Sequence, residues 1–146
     1  MVIENDILIP ELERLLRAEK EVRLTPSGAS MRPFIEGERD SVIIAPLTRE
    51  PRRGDILLAR AKAENGRNIY VIHRLWKIEN ATYILQGDGN LVGVETCSRK
   101  DIIGRVVRIE SPTGRRKLLT RGLIWQTLMP FRKWLLKAYR KIFFTL

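Results

Sequence analysis

The chain holds a single histidine, His73, and a serine set among turn formers in Ser27-Gly28-Ala29-Ser30-Met31-Arg32-Pro33-Phe34. An imidazole with an ordinary pKa of about 6.5 can accept a hydroxyl proton near neutral pH. A serine at the edge of such a loop can project its hydroxyl among backbone N–H groups. Together these supply a nucleophile, a base and oxyanion donors, the parts that acyl transfer needs. Gly28 lets the backbone come close to a substrate. A carboxylate would complete the set by orienting the imidazole, and Asp88, in Gly87-Asp88-Gly89-Asn90, is the candidate. Each piece also has a plainer reading. A Ser-Gly run makes a turn, a strand histidine packs beside Val71 and Leu75, and Asp-Gly closes a hairpin. Asp55, in Arg53-Gly54-Asp55, reads as a structural turn residue.

Short strands are predicted to position these groups. Val22–Thr25, Ser41–Ala45, Asp55–Ala59, Ile69–Ile78, Thr82–Leu85 and Ile102–Ile109 are β-branched or alternating runs. Turn-rich joints at Arg52–Asp55, Glu64–Gly66, Glu79–Asn80 and Gly87–Asn90 separate them. In the long run, alternation puts Tyr70, Ile72, Arg74 and Trp76 on one face and Val71, His73, Leu75 and Lys77 on the other. Before the strands, Glu4–Lys20 reads as a helix with an apolar face of Ile7, Leu8, Leu12, Leu15 and Leu16, capped by Asn5 or Asp6. After the break at Ser111–Gly114, Leu118–Leu146 is helical in pattern. Ile124, Leu128, Phe131, Leu135, Ala138, Tyr139 and Ile142 form its stripe, and Pro130 kinks or splits it. The expected fold is mainly β: a small barrel or folded sheet over 21–110, with an N-terminal helix over 1–20 and a basic helical tail over 111–146.

Charge separates the tail from the rest. Residues 1–110 carry eighteen Lys and Arg against seventeen Asp and Glu, whereas 111–146 carry nine cations and no acid. Such a tail suits an anionic partner. Trp125, Phe131, Trp134, Tyr139, Phe143 and Phe144 interleave with its cations, which fits a helix lying on an anionic membrane surface. It fits equally a helix docked on the sheet or on a second subunit. Nucleic acid is disfavoured, because no base-reading motif accompanies the cations. One cysteine and one histidine cannot fill an ordinary zinc site without carboxylates, so neither metal nor cofactor is expected. The lone Cys97 rules out an internal disulfide. No secretory leader and no run of about 18 apolar residues is present, which points to a cytoplasmic protein or one peripheral at the cytoplasmic membrane face. The sequence sets no oligomeric state.

The ordered set Ser27-Gly28-Ala29-Ser30-Met31-x-Pro33, Asp40-x-Val42, Gly54-Asp55-Ile56-Leu57, Tyr70-Val71-Ile72-His73-Arg74, Gly87-Asp88-x-Asn90 and Ile103-Gly104-x-Val106 resembles the LexA/signal-peptidase superfamily of serine peptidases. The resemblance covers about residues 22–109. The His-Arg pair and the Gly-Asp-x-Asn turn look most like the archaeal and endoplasmic-reticulum branch, and the Ser-Gly-x-Ser-Met spacing looks more like the self-cleaving repressors. The resemblance implies Ser30 as nucleophile, His73 as base where other members carry lysine, and Asp88 as supporting acid. It also implies Gly28, Met31 and Pro33 at the substrate side, the Ser30 N–H as an oxyanion donor, and an extended peptide or protein substrate with small side chains.

The departures from the pattern carry information as well. Some bacterial members have a serine two residues before the nucleophile. Gly28 stands there instead, so an oxyanion hole must rest on backbone amides. Lys77 shares the His73 face, which leaves a Ser-Lys arrangement open although the register disfavours it. No membrane span, DNA-binding domain or Ala-Gly self-cleavage linker is readable, so cleavage in trans is expected. The reading from another class is a catalytically silent β-barrel that binds a peptide, a partner or a membrane surface.

Overall fold

The computed structural model describes residues 8–90, 93–114, 116–117 and 131–144. Among these residues it is mainly β, with one antiparallel sheet and two α-helices. The strands are β1 (Val22–Leu24), β2 (Ser41–Ala45), β3 (Ile56–Lys62), β4 (Asn68–Glu79), β5 (Thr82–Gln86), β6 (Glu95–Cys97), β7 (Ile102–Glu110) and β8 (Arg116–Lys117). Their order is β1-β2-β7-β3-β4-β5-β6, with β8 beside β7. Thr96 of β6 also pairs with Lys62 of β3, so the sheet folds over into a partial ring. Of the two expected forms, the folded sheet is the one observed.

The two faces of the central strands feed two cores, as alternation requires. Ile56, Leu58 and Ile72 join Ile9, Leu12, Leu16, Met31, Ile35, Val42, Ile44, Val106 and Ile109 under the N-terminal helix and the Ser30 loop. On the other face, Leu57, Ala59, Val71 and Leu75 pack with Tyr83, Leu85, Cys97 and Ile102 inside the ring. Fully burying each such aliphatic side chain contributes about 1.5–3 kcal/mol.

Helix α1 (Leu8–Arg17) presents Ile9, Leu12 and Leu16 to the first core. It ends where Glu19 turns left-handed (φ 58°) and the Glu19 and Lys20 N–H groups close back on Leu16 and Leu15. Gly104 makes the close approach possible. A Cβ there would meet Ile44 Cγ2 at 2.8 Å and Leu16 Cδ1 at 3.2 Å. The part of the predicted helix before residue 8, with its Asn5 or Asp6 cap, lies outside the described residues.

β4 contains an irregularity that the sequence does not show. Leu75 pairs with Leu85 but Lys77 pairs with Ile84, so the register slips at Trp76. Lys77 is exposed and its Nζ lies 2.9 Å from Glu79 Oε1. The Ser-Lys alternative is thereby set aside. Past the sheet, α2 (Arg132–Phe144) confirms helix in the second part of the tail, while 118–130 lie outside the described residues. Among the described residues no helix is long and apolar enough to cross a membrane.

Candidate functional site

Ser30 sits in a tight turn between β1 and β2. The Arg32 N–H donates to Ala29 O at 3.1 Å, and the Phe34 and Ile35 N–H groups both donate to Met31 O at 3.0 Å. The rest of the loop is closed by Asp40, which is fully buried and accepts the Glu36 N–H at 2.8 Å. Arg32 forks onto Glu36, with Nη2 to Oε1 at 2.6 Å. Met31 is fully buried beneath the turn. It was expected at the substrate side. Instead it supports the loop from the core, where its sulfur accepts the Asp88 N–H at 3.5 Å. Gly28 is exposed and Pro33 half-buried; Gly28, Ala29, Arg32, Glu36 and Gly37 border a surface hollow on one side of Ser30.

His73 lies in the middle of β4, opposite Leu57 of β3, and is only 2% exposed. Its Nε2 is 3.0 Å from Ser30 Oγ, so the expected serine–histidine pair is present. Its Nδ1 is 2.7 Å from Glu95 Oε2. Both ring nitrogens are therefore engaged, one by the hydroxyl and one by a carboxylate, and that carboxylate is not the one expected.

Asp88 is held elsewhere. Arg74 donates from Nε to Oδ1 at 2.8 Å and from Nη2 to Oδ2 at 2.7 Å, and both side chains are 1% exposed. Nη1 of Arg74 also reaches Gly54 O at 2.8 Å, and the guanidinium lies over the Phe34 ring, 5.4 Å from its centroid. Arg74 follows His73 and points to the opposite face, so the residue it clamps cannot be the one that orients the imidazole. The assignment of Asp88 as the acid on His73 is corrected to Glu95. Asp88 anchors the Gly87–Asn90 turn, whose Gly89 N–H donates to Ser30 O at 2.7 Å. Gly87 must be glycine for this fit: a Cβ there would collide with Ser30 O and stand 3.1 Å from His73 Nε2. Asp55 behaves as a turn residue, accepting Arg49 in a fork at 2.7 and 2.8 Å and the Arg52 N–H.

Glu95 arrives on β6, a three-residue strand between β5 and the end of β3 that the sequence reading missed. Its register places Glu95 opposite Leu85 and Cys97 opposite Tyr83. Glu95 thus shares the inner face with Cys97, two residues on. An acid alternating with a buried cysteine, a short distance past a Gly-Asp-Gly turn, was the available signal.

Burial holds the His73 pKa below its ordinary 6.5, outweighing the opposing pull of the Glu95 hydrogen bond. The imidazole is therefore neutral at pH 7. With Nδ1–H donated to Glu95, its Nε2 lone pair faces the Ser30 hydroxyl. Because the folded-state pKa is depressed, stability should be full above about 6.5. It should then fall as the pH drops through the folded-state value. Denaturation midpoints measured down a pH series should show this loss in the wild type and less of it in His73→Gln. Cys97, also on the inner face, is pushed up to about 11 by burial, which keeps it a thiol rather than a nucleophilic thiolate. Among the described residues no cluster of His, Cys, Asp and Glu could hold a metal ion. No protein-family model matches this chain, and neither does any curated protein.

Proposed function

We propose that the chain is a serine peptidase in which Ser30 is the nucleophile, His73 the general base and Glu95 the acid that fixes the histidine tautomer. The observation that carries this reading is the unbroken relay from Ser30 Oγ through His73 Nε2 and Nδ1 to Glu95 Oε2, at 3.0 and 2.7 Å. Such a relay is recognised by geometry and roles, not by chain order. The half-exposed serine over a buried neutral base adds support, since a purely structural hydroxyl has no need of one. The resemblance to LexA/signal-peptidase enzymes supports the same residues at two of the three positions and suggests an extended peptide as substrate.

In the proposed reaction His73 Nε2 takes the Ser30 proton as Oγ bonds to the substrate carbonyl carbon. The imidazolium that forms is stabilised by Glu95. Backbone N–H groups of the Ser30 turn are the expected donors to the oxyanion. Collapse breaks the C–N bond, and His73 returns the proton to the leaving amine. Water then attacks the acyl-Ser30 ester, with His73 again as base, to release the acid and restore the hydroxyl.

The test is a fluorophosphonate probe with mass-spectrometric mapping of the adduct, alongside digestion of a mixed peptide library. Labelling should fall on Ser30 and vanish in His73→Ala. Library cuts should drop by up to about 10⁶-fold in Ser30→Ala, and their rate should hold on the acid side of pH 6.5 before falling as His73 protonates. Library cleavage that survives Ser30→Ala rejects the assignment. An unlabelled protein that makes no Ser30-dependent cuts leaves the silent binding module.

A further inference from the structure

The C-terminal helix α2 has two faces with different environments. On the first, Leu136 is 4% exposed, and the Tyr139 hydroxyl donates to Glu36 Oε2 at 3.3 Å. Glu36 is the residue gripped by Arg32, so α2 touches the same loop that carries Ser30. On the second face, which Phe131 extends from just before the helix, Phe131, Trp134, Leu135 and Ile142 are 62, 80, 41 and 64% exposed, and Ala138 is exposed between them. At 3.6 residues per turn these five fall within a stripe about 100° wide, centred roughly 110° around the helix from Leu136 and Tyr139. The sequence stripe therefore exists, but of its described members only Tyr139 turns toward the body. Leu136, which was not assigned to it, is the buried residue.

Cations border the exposed stripe. Lys133, Lys137 and Lys141 recur every four residues and, with Trp134 and Ala138, line a hollow of about 440 Å³. No acid occurs anywhere from residue 111 to 146.

We propose that this face of α2 binds an anionic bilayer surface, with Phe131, Trp134, Leu135, Ala138 and Ile142 in the interface and Lys133 and Lys137 at the lipid phosphates. Both halves of the pattern are used only by such a partner. A nucleic acid would satisfy the lysines and leave the aliphatic stripe in water. A second copy would cover the stripe but bring two acid-free basic tails together. A lipid surface buries apolar area and neutralises charge along one helix. The Tyr139–Glu36 link then holds the Ser30 loop within about one helix diameter, roughly 10 Å, of the interface. Lipid binding does not depend on the catalytic reading, so Ser30→Ala protein should bind as the wild type does.

The experiment is sedimentation of the full chain with phosphatidylcholine vesicles, with and without phosphatidylglycerol, over a salt series. The expected result is binding to the anionic vesicles at least about tenfold tighter than to phosphatidylcholine alone, fading as salt rises. Lys133→Gln and Lys137→Gln should each weaken it about fivefold, and Trp134→Ser with Ile142→Ser by about tenfold or more. These side chains are exposed, so unchanged melting curves will show that the variants fold. Failure to pellet, equal affinity for both vesicles, or indifference to the Trp134 and Ile142 changes overturns the proposal. So does a dimer that the Trp134 and Ile142 variant dissociates, or duplex DNA bound in place of lipid.

Discussion

Replacing Glu95 by glutamine is expected to lower peptide turnover by about 10³–10⁴-fold while shifting stability by no more than about 1 kcal/mol. Glutamine keeps an oxygen near His73 Nδ1 but removes the negative charge that the imidazolium needs. It can also present its amide N–H₂ to Nδ1, which would place the ring proton on Nε2, the atom that must accept from Ser30. The geometry leaves little room for a substitute, since the Nδ1–Oε2 bond is 2.7 Å and His73 is buried on β4. Steady-state kinetics with a peptide selected from the library, together with a thermal melt, separates this effect from unfolding. Turnover within about tenfold of wild type in Glu95→Gln would remove Glu95 from the mechanism.

Breaking the Arg74–Asp88 pair should do the reverse, acting first on the fold. Two ions, each 1% exposed, are joined by a two-pronged hydrogen bond. Deleting one leaves the other charged and dry, which typically costs about 3–5 kcal/mol. Arg74→Leu or Asp88→Ala should therefore lower the melting temperature by roughly 10 °C for a chain of this size. Replacing both partners together, as Arg74→Met with Asp88→Leu, should recover much of that loss, because no charge is stranded. Activity should suffer in the single variants through the turn, since the Gly89 N–H that holds Ser30 O depends on Asp88 being anchored. A melting temperature unchanged in Asp88→Ala would contradict the clamp. An activity loss at Asp88 with full stability, paired with an indifferent Glu95, would make Asp88 the acid instead.

The two carboxylates are chemically alike, and the sequence makes Asp88 the more conspicuous candidate. Asp88 sits in a Gly-Asp-Gly turn that invites attention, whereas Glu95 opens a strand of three residues too short for a periodicity to register. Which carboxylate meets His73 depends on the pairing of β5 with β4 and β6. Arg74 stands opposite Gln86, two residues before Asp88, and that register brings the guanidinium rather than the imidazole to the turn. Glu95 stands opposite Leu85, whose side chain fills the ring interior beneath β4.

Local chemistry was enough for much of the rest. β-branched runs announced β2 at the bounds observed and most of β3, β4, β5 and β7 nearly so, because strand propensity and alternation are properties of the residues themselves. The same alternation placed His73 and Arg74 on opposite faces, and the turn-forming residues around Ser30 put its hydroxyl at a loop edge. Folding settled what depends on distant partners: the slip at Trp76 that turns Lys77 away, the closure of β6 on β3, and the face of α2 that meets Glu36. Each of these joins segments far apart along the chain. Their outcome is set by which pairing buries the most apolar surface with its polar groups satisfied, a sum over the whole molecule that no short window of residues contains.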